Sequence, residues 1–112
     1  MKPKTYYLYC DLKDDEFLKA KYKAYHKKVW PEVLKSIKGS GIDVMRIFNH
    51  GNRLFMVIEV NDLFTFEKMA QMGNNNPKVE EWETLMWQYQ QKVPAAKEGE
   101  KWVLLDEIFT MD

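Results

Sequence analysis

A single cysteine, Cys10, stands among the 112 residues, which excludes a disulfide framework and a thiolate metal site. Charge of one sign is missing too. Seventeen Lys and Arg balance seventeen Asp and Glu, so no net field draws the chain to nucleic acid or to an anionic membrane. No apolar run approaches the ~20 residues that cross a bilayer. Met1 to Leu12 lacks the basic-then-apolar order of a secretory signal, so a cytoplasmic location is expected. Histidine is scarce, with only His26 and His50 present. Without a His-x-x-x-His, a Cys pair or a carboxylate triad at ligand spacing, no metal site is expected. Asp14, Asp15 and Glu16 are adjacent, but their place before an apolar-periodic run makes them helix-start residues. The five glycines mark helix ends and turns, and no phosphate-cradling loop is among them. Ser36 and Ser40 lack the flanking residues of a nucleophile elbow.

Aromatic residues are what the chain has in quantity: four Trp, six Tyr and six Phe. Large rings fill cores, and they also offer flat faces on which the C–H surfaces of a sugar stack. With 46% hydrophobic residues, the chain can bury one core, and a single domain over 1–112 is expected.

The pattern along the chain alternates between strand and helix. Lys4 to Leu12 reads as a strand with Tyr6, Leu8, Cys10 and Leu12 on one side and Tyr7, Tyr9 and Asp11 on the other. Asp14 is the expected N-cap of a following helix, in which apolar residues recur from Phe17 to Ile37. Pro31 interrupts that run, either as a kink or as the first residue of a new helix, and Gly39 and Gly41 end it. Asp43–Asn49 and Arg53–Val60 form a hairpin across His50-Gly51-Asn52. A short helix over Leu63–Met72 follows. Another opens at Pro77, carries Val79, Trp82, Leu85, Met86 and Tyr89, and ends at Pro94. A last strand spans Lys101–Met111. This order predicts an α+β domain of ferredoxin-like βαββαβ type, with a four-stranded antiparallel sheet and helices on one face. The other face needs cover, and the apolar alternation on both sides of the outer strands predicts a homodimer of the dimeric α/β-barrel type.

His26 is the residue with the most chemistry. Helical spacing places Tyr22, His26 and Trp30 one turn apart on one stripe, beside the apolar stripe of Leu18, Tyr25, Val29 and Val33. A half-buried histidine paired with backbone or tyrosine is the ordinary outcome of such a position. The functional alternative is a general acid/base at the bottom of a pocket, since imidazole titrates near neutral pH. The lysines from Lys19 to Lys28 read as the solvated face of the same helix. His50 belongs to an exposed turn. Arg46 and Glu59 project from strands and complete a toolkit suited to proton transfer on a neutral, ring-shaped ligand.

The run Tyr22-x3-His26-x3-Trp30-Pro31-Glu32 resembles the L-rhamnose mutarotases, a family of short dimeric sugar epimerases. The resemblance extends to the opening strand, to Asn52–Glu59 and to the Trp-bearing segment Val79–Pro94. It implies an isomerase that interconverts the α and β anomers of a deoxy-sugar pyranose, with no cofactor and a monosaccharide as its small-molecule partner. It also implies that His26 donates a proton to the ring oxygen, that Tyr22 lies beside the sugar, and that Trp82, or failing that Trp87, lines the pocket with Trp30. Arg46 stands near the position of a family tyrosine on the second strand and is expected to replace it. The ending Gly99-Glu100-Lys101-Trp102-Val103 resembles relatives that act on L-fucose. Two other readings share the architecture: a ferredoxin-like monooxygenase or haem-degrading protein, and a non-enzymatic small-ligand-binding dimer.

Overall fold

The computed structural model describes residues 4–97 and 100–111; Gly99 of the fucose-like ending lies outside them. Three long strands make the body of one antiparallel sheet: β1 (Lys4–Leu12), β2 (Ile42–His50) and β3 (Arg53–Val60). Their order is β2-β3-β1. Helices α1 (Glu16–Tyr25), α2 (Pro31–Gly39), α3 (Phe66–Asn74) and α4 (Pro77–Met86) complete the chain with two short strands, β4 (Gln90–Gln91) and β5 (Val103–Leu104). This is the expected ferredoxin-like arrangement.

Strand alternation sorts the side chains as the sequence predicts. Leu8, Cys10 and Leu12 of β1 and Leu54, Met56, Ile58 and Val60 of β3 are buried. With Tyr22, Val33, Ile42, Val79, Trp82, Met86 and Tyr89 they form two adjoining apolar clusters, which Ile37 and Trp102 both touch. Tyr7, Val44 and Phe48, of opposite parity, are exposed.

Local signals hold with small shifts. Asp15, not Asp14, caps α1 by accepting from the Leu18 N–H at 3.0 Å, and Asp14 pairs with Lys19 instead. Pro31 opens a separate helix, because its ring holds Trp30 extended (ψ 137°) and so divides α1 from α2. Gly41 follows the α2 cap at φ 99°, where an added Cβ would lie 2.7 Å from the Phe64 backbone nitrogen. Gly51, at φ 59°, makes the β2–β3 turn, with His50 as the last strand residue. α3 begins at Phe66 rather than Leu63, because the Thr65 hydroxyl, accepting from the Lys68 N–H, supplies the cap.

Two expectations fail at the far edge of the sheet. The helix begun at Pro77 stops at Met86 rather than running to Pro94. Gln90 and Gln91 leave it to pair with Leu12 and Asp11, so tertiary pairing with the free edge of β1 overrides helical continuity. The last strand is two residues long rather than eleven: Val103 and Leu104 pair with Tyr9 and Leu8. β4 and β5 therefore lie along the same edge of β1. Beyond Leu105 the chain leaves the sheet, and Ile108, Phe109 and Met111 are exposed. An alternating segment needs an apolar surface to bury one side, and none of the described residues covers these side chains.

Candidate functional site

His26 sits where α1 stops. Its backbone N–H still bonds the Tyr22 carbonyl at 3.3 Å, as the C-cap of the helix, and its ring folds back on the same group. Nδ1 lies 2.9 Å from the Tyr22 carbonyl oxygen. A carbonyl only accepts, so Nδ1 carries the hydrogen and Nε2 is left as the reactive nitrogen. Two rings hold the imidazole in place. The Tyr22 ring lies against it with centroids 4.2 Å apart, and Trp82 meets it edge to face at 5.4 Å and 65°. Burial pushes the pKa of His26 below its ordinary value of 6.5; the bond to the Tyr22 carbonyl and the charge of Glu83 oppose that shift and do not cancel it.

The histidine opens onto a hollow of about 170 Å³ lined by Tyr22, Lys23, His26, Lys27, Ile47, Asn49 and Leu54. The end of α1 and the two residues after it supply its cations and the imidazole, while β2 and β3 supply Ile47, Asn49 and Leu54. Asn49 and Leu54 are cross-strand partners in the hairpin, and Ile47 stands two residues before Asn49 on the same face. A larger hollow of about 450 Å³ lies against α2 and the start of α4, lined by Glu32, Lys35, Ser36, Asn75 and Asn76. It contains no histidine and no aromatic ring, and the Asn76 side chain is already committed to capping α4.

Tyr22 is buried, at 3% exposure, and its hydroxyl points inward. Its oxygen lies 3.5 Å from the Gln90 amide nitrogen, a long contact, and the Gln90 amide oxygen is buried with no partner among the described residues. Burial raises the phenol pKa far above its usual range, so Tyr22 stays protonated at neutral pH. The Cys10 thiol is likewise pushed up by burial, to about 11, and is chemically quiet.

The other expected residues divide. Trp82 is 4% exposed and forms the hub of an aromatic cluster, with Tyr25 at 6.2 Å, His26 at 5.4 Å and Trp30 at 5.1 Å. It supports the histidine from within the core. Trp30 touches Trp82 and not the hollow. Trp87 is elsewhere: five residues on from Trp82 is about 140° around a helix, and its ring lies under the Lys101 ammonium at 4.8 Å. That ammonium is also paired with Glu83 at 2.6 Å. Arg46 does not reach the hollow either. It shares its parity with Phe48, over whose ring the guanidinium sits at 5.2 Å, on the open face of the sheet. The residues missed from sequence are Lys23, Lys27, Ile47, Asn49, Leu54 and Gln90. The hairpin register was the signal for Ile47 and Asn49, since it sets them opposite the buried Met56 and Leu54.

A profile of the family described as L-rhamnose mutarotase matches residues 5–111. The chain belongs to that family. Its members are mutarotases, which are carbohydrate isomerases, and this chain is an enzyme of that class. An L-fucose mutarotase of Xanthomonas campestris is 37% identical over 103 residues, covering 90% of this chain and 82% of that protein. The crystal structure of an L-rhamnose mutarotase from Formosa agariphila superposes with a TM-score of 0.69 at 26% identity, covering 97% of this chain and 99% of that one. A dimeric ferredoxin-like protein from an uncultured marine organism shares the fold alone, with a TM-score of 0.55 at 13% identity over all of this chain and 95% of that one.

Proposed function

We propose that this mutarotase interconverts the α and β anomers of a 6-deoxyhexopyranose, L-fucose or L-rhamnose, by proton transfer at His26. One observation carries the reading: a half-buried imidazole, its Nδ1–H tied to the Tyr22 carbonyl, lines a hollow of about 170 Å³. Ring opening removes the proton of the anomeric hydroxyl, breaks the bond from C1 to the ring oxygen and protonates that oxygen. Both oxygens are bonded to C1, so one nitrogen facing that carbon can serve both. Neutral His26 takes the hydroxyl proton through Nε2, and the resulting imidazolium delivers it to the departing ring oxygen. After the carbonyl rotates, the same steps in reverse close the other anomer. The Tyr22 carbonyl and ring fix the direction of Nε2 in this scheme, and Trp82 braces the imidazole; Lys23, Lys27 and Asn49 offer polar groups to the sugar hydroxyls.

The test is saturation transfer between the two anomeric protons, observed by NMR with L-fucose and L-rhamnose in separate samples. Transfer above the uncatalysed rate with either sugar supports the reading and ranks the substrates. No enhancement with either at micromolar protein and neutral pH sinks it.

The working unit in this reading is a homodimer. Tyr7, Val44 and Phe48 are exposed on the open sheet face, where Phe55 stacks between Tyr7 and Phe48, and Ile108, Phe109 and Met111 extend away from the edge. Apolar surface of this extent is what a second copy covers. The dimeric neighbour of the same fold fits this arrangement. Light scattering should give twice the chain mass, and Phe48→Glu should halve it without loss of the circular dichroism signal. A wild-type monomer would refute the assembly.

A further inference from the structure

The hollow beside His26 is not uniformly polar, and its two kinds of lining lie side by side on the hairpin. Ile47 and Leu54 are its aliphatic members. Asn49 stands directly opposite Leu54 and has its amide fixed: the nitrogen donates to the Gly51 carbonyl at 3.0 Å and to the Arg53 carbonyl at 3.1 Å. Both partners are carbonyls, so the amide orientation is unambiguous. Its two hydrogens are used and its oxygen has no partner among the described residues. That oxygen is an acceptor of fixed orientation on a residue that lines the site.

A 6-deoxyhexopyranose presents a matching pair of features. The ring oxygen joins C1 to C5, and C5 carries the C6 methyl. A sugar placed with C1 and its ring oxygen at His26 Nε2 therefore brings the methyl into the immediate neighbourhood of that nitrogen, while the ring hydroxyls spread to the other side. We infer that the β2–β3 hairpin selects the substrate, with Ile47, backed by the buried Leu54, receiving the C6 methyl and the Asn49 carbonyl oxygen accepting a hydrogen bond from a ring hydroxyl. This inference rests on the His26 reading and adds to it the residues that decide between 6-deoxy and 6-hydroxy sugars. A hydroxymethyl group against Ile47 and Leu54 gives up hydrogen bonds to water and gains none from aliphatic carbon. Rejection of such a group by an apolar pocket reaches about 10²-fold.

The experiment compares kcat/KM for anomer exchange on matched sugars, L-fucose against L-galactose and L-rhamnose against L-mannose, which differ only in the hydroxyl at C6. The wild type should favour the 6-deoxy member of its better pair by about 10- to 100-fold. Ile47→Thr should cut that ratio by about tenfold, since it replaces a methyl contact with a hydroxyl, while Ile47→Val should hold it within about twofold. Ile47→Ala reads the same ratio should the Thr variant fail to fold. Asn49→Leu should raise KM for both sugars and leave the ratio between them unchanged. A wild type that exchanges both members of each pair equally overturns the inference. So does an Ile47→Thr enzyme that keeps the wild-type ratio. In both cases the exchange itself persists and the His26 reading stands; exchange absent from the wild type would instead remove that reading and the inference with it.

Discussion

Replacing His26 by Ala is expected to lower anomer exchange by at least about 10²-fold, the usual contribution of a positioned acid/base. The variant should fold, because the imidazole is half-buried, Trp82 keeps Tyr25 and Trp30, and Tyr22 stays buried in the core beside Gln90. Retention of more than about a tenth of the wild-type rate would assign the proton transfer to another group. The pH profile gives an independent reading of the same residue. Burial holds the His26 pKa below 6.5, so the base form of Nε2 prevails at neutral pH, and kcat/KM should fall only on the acid side of 6.5. The stability linkage has the same sign. A depressed histidine pKa means that the unfolded chain binds the proton more readily, so the stabilising contribution is complete above 6.5 and is lost as pH falls through the lowered value. NMR titration of the His26 ring against the activity profile would match the two. An activity midpoint above 6.5 would contradict the assignment.

The parts of the molecule that were legible in the sequence are those fixed by local chemistry. Leu8, Cys10 and Leu12 face the core because strand side chains alternate, and Pro31 starts a helix because its ring forbids helical geometry at Trp30. The contact of Tyr22 with His26 follows from spacing of four on a helix. The illegible parts depend on distant partners. Nothing near Met86 announces the end of α4; the free edge of β1 draws Gln90 and Gln91 out of it. Arg46 was placed beside the sugar by analogy of position, whereas its parity with Phe48 sends it through the sheet to the other face. Trp82 has the composition of a stacking surface, but it is buried and ringed by Tyr25, His26 and Trp30. Ile47 and Asn49 were overlooked because the chemistry of the hollow is shared between α1 and a hairpin that joins it only through tertiary packing.

Trp82→Ala is expected to cost about 3–5 kcal/mol of stability, the range for removing a large buried aromatic from a core. Three aromatic contacts disappear together, and the cavity lies where the α1, α2 and α4 side chains meet. Trp82→Phe should lose much less, because a ring remains to meet Tyr25 and Trp30. Chemical denaturation measures both. The same pair of variants separates two roles for the indole. As a brace for His26, its loss admits water around the imidazole, so the lowered pKa should climb back towards 6.5 and kcat should fall while KM changes little. A platform that stacks on the sugar would do the reverse, raising KM and leaving the His26 titration where it was. With 4% of Trp82 exposed, the brace is the role the packing permits, and the titration of His26 in the folded Phe variant decides it without relying on the stability of the Ala variant.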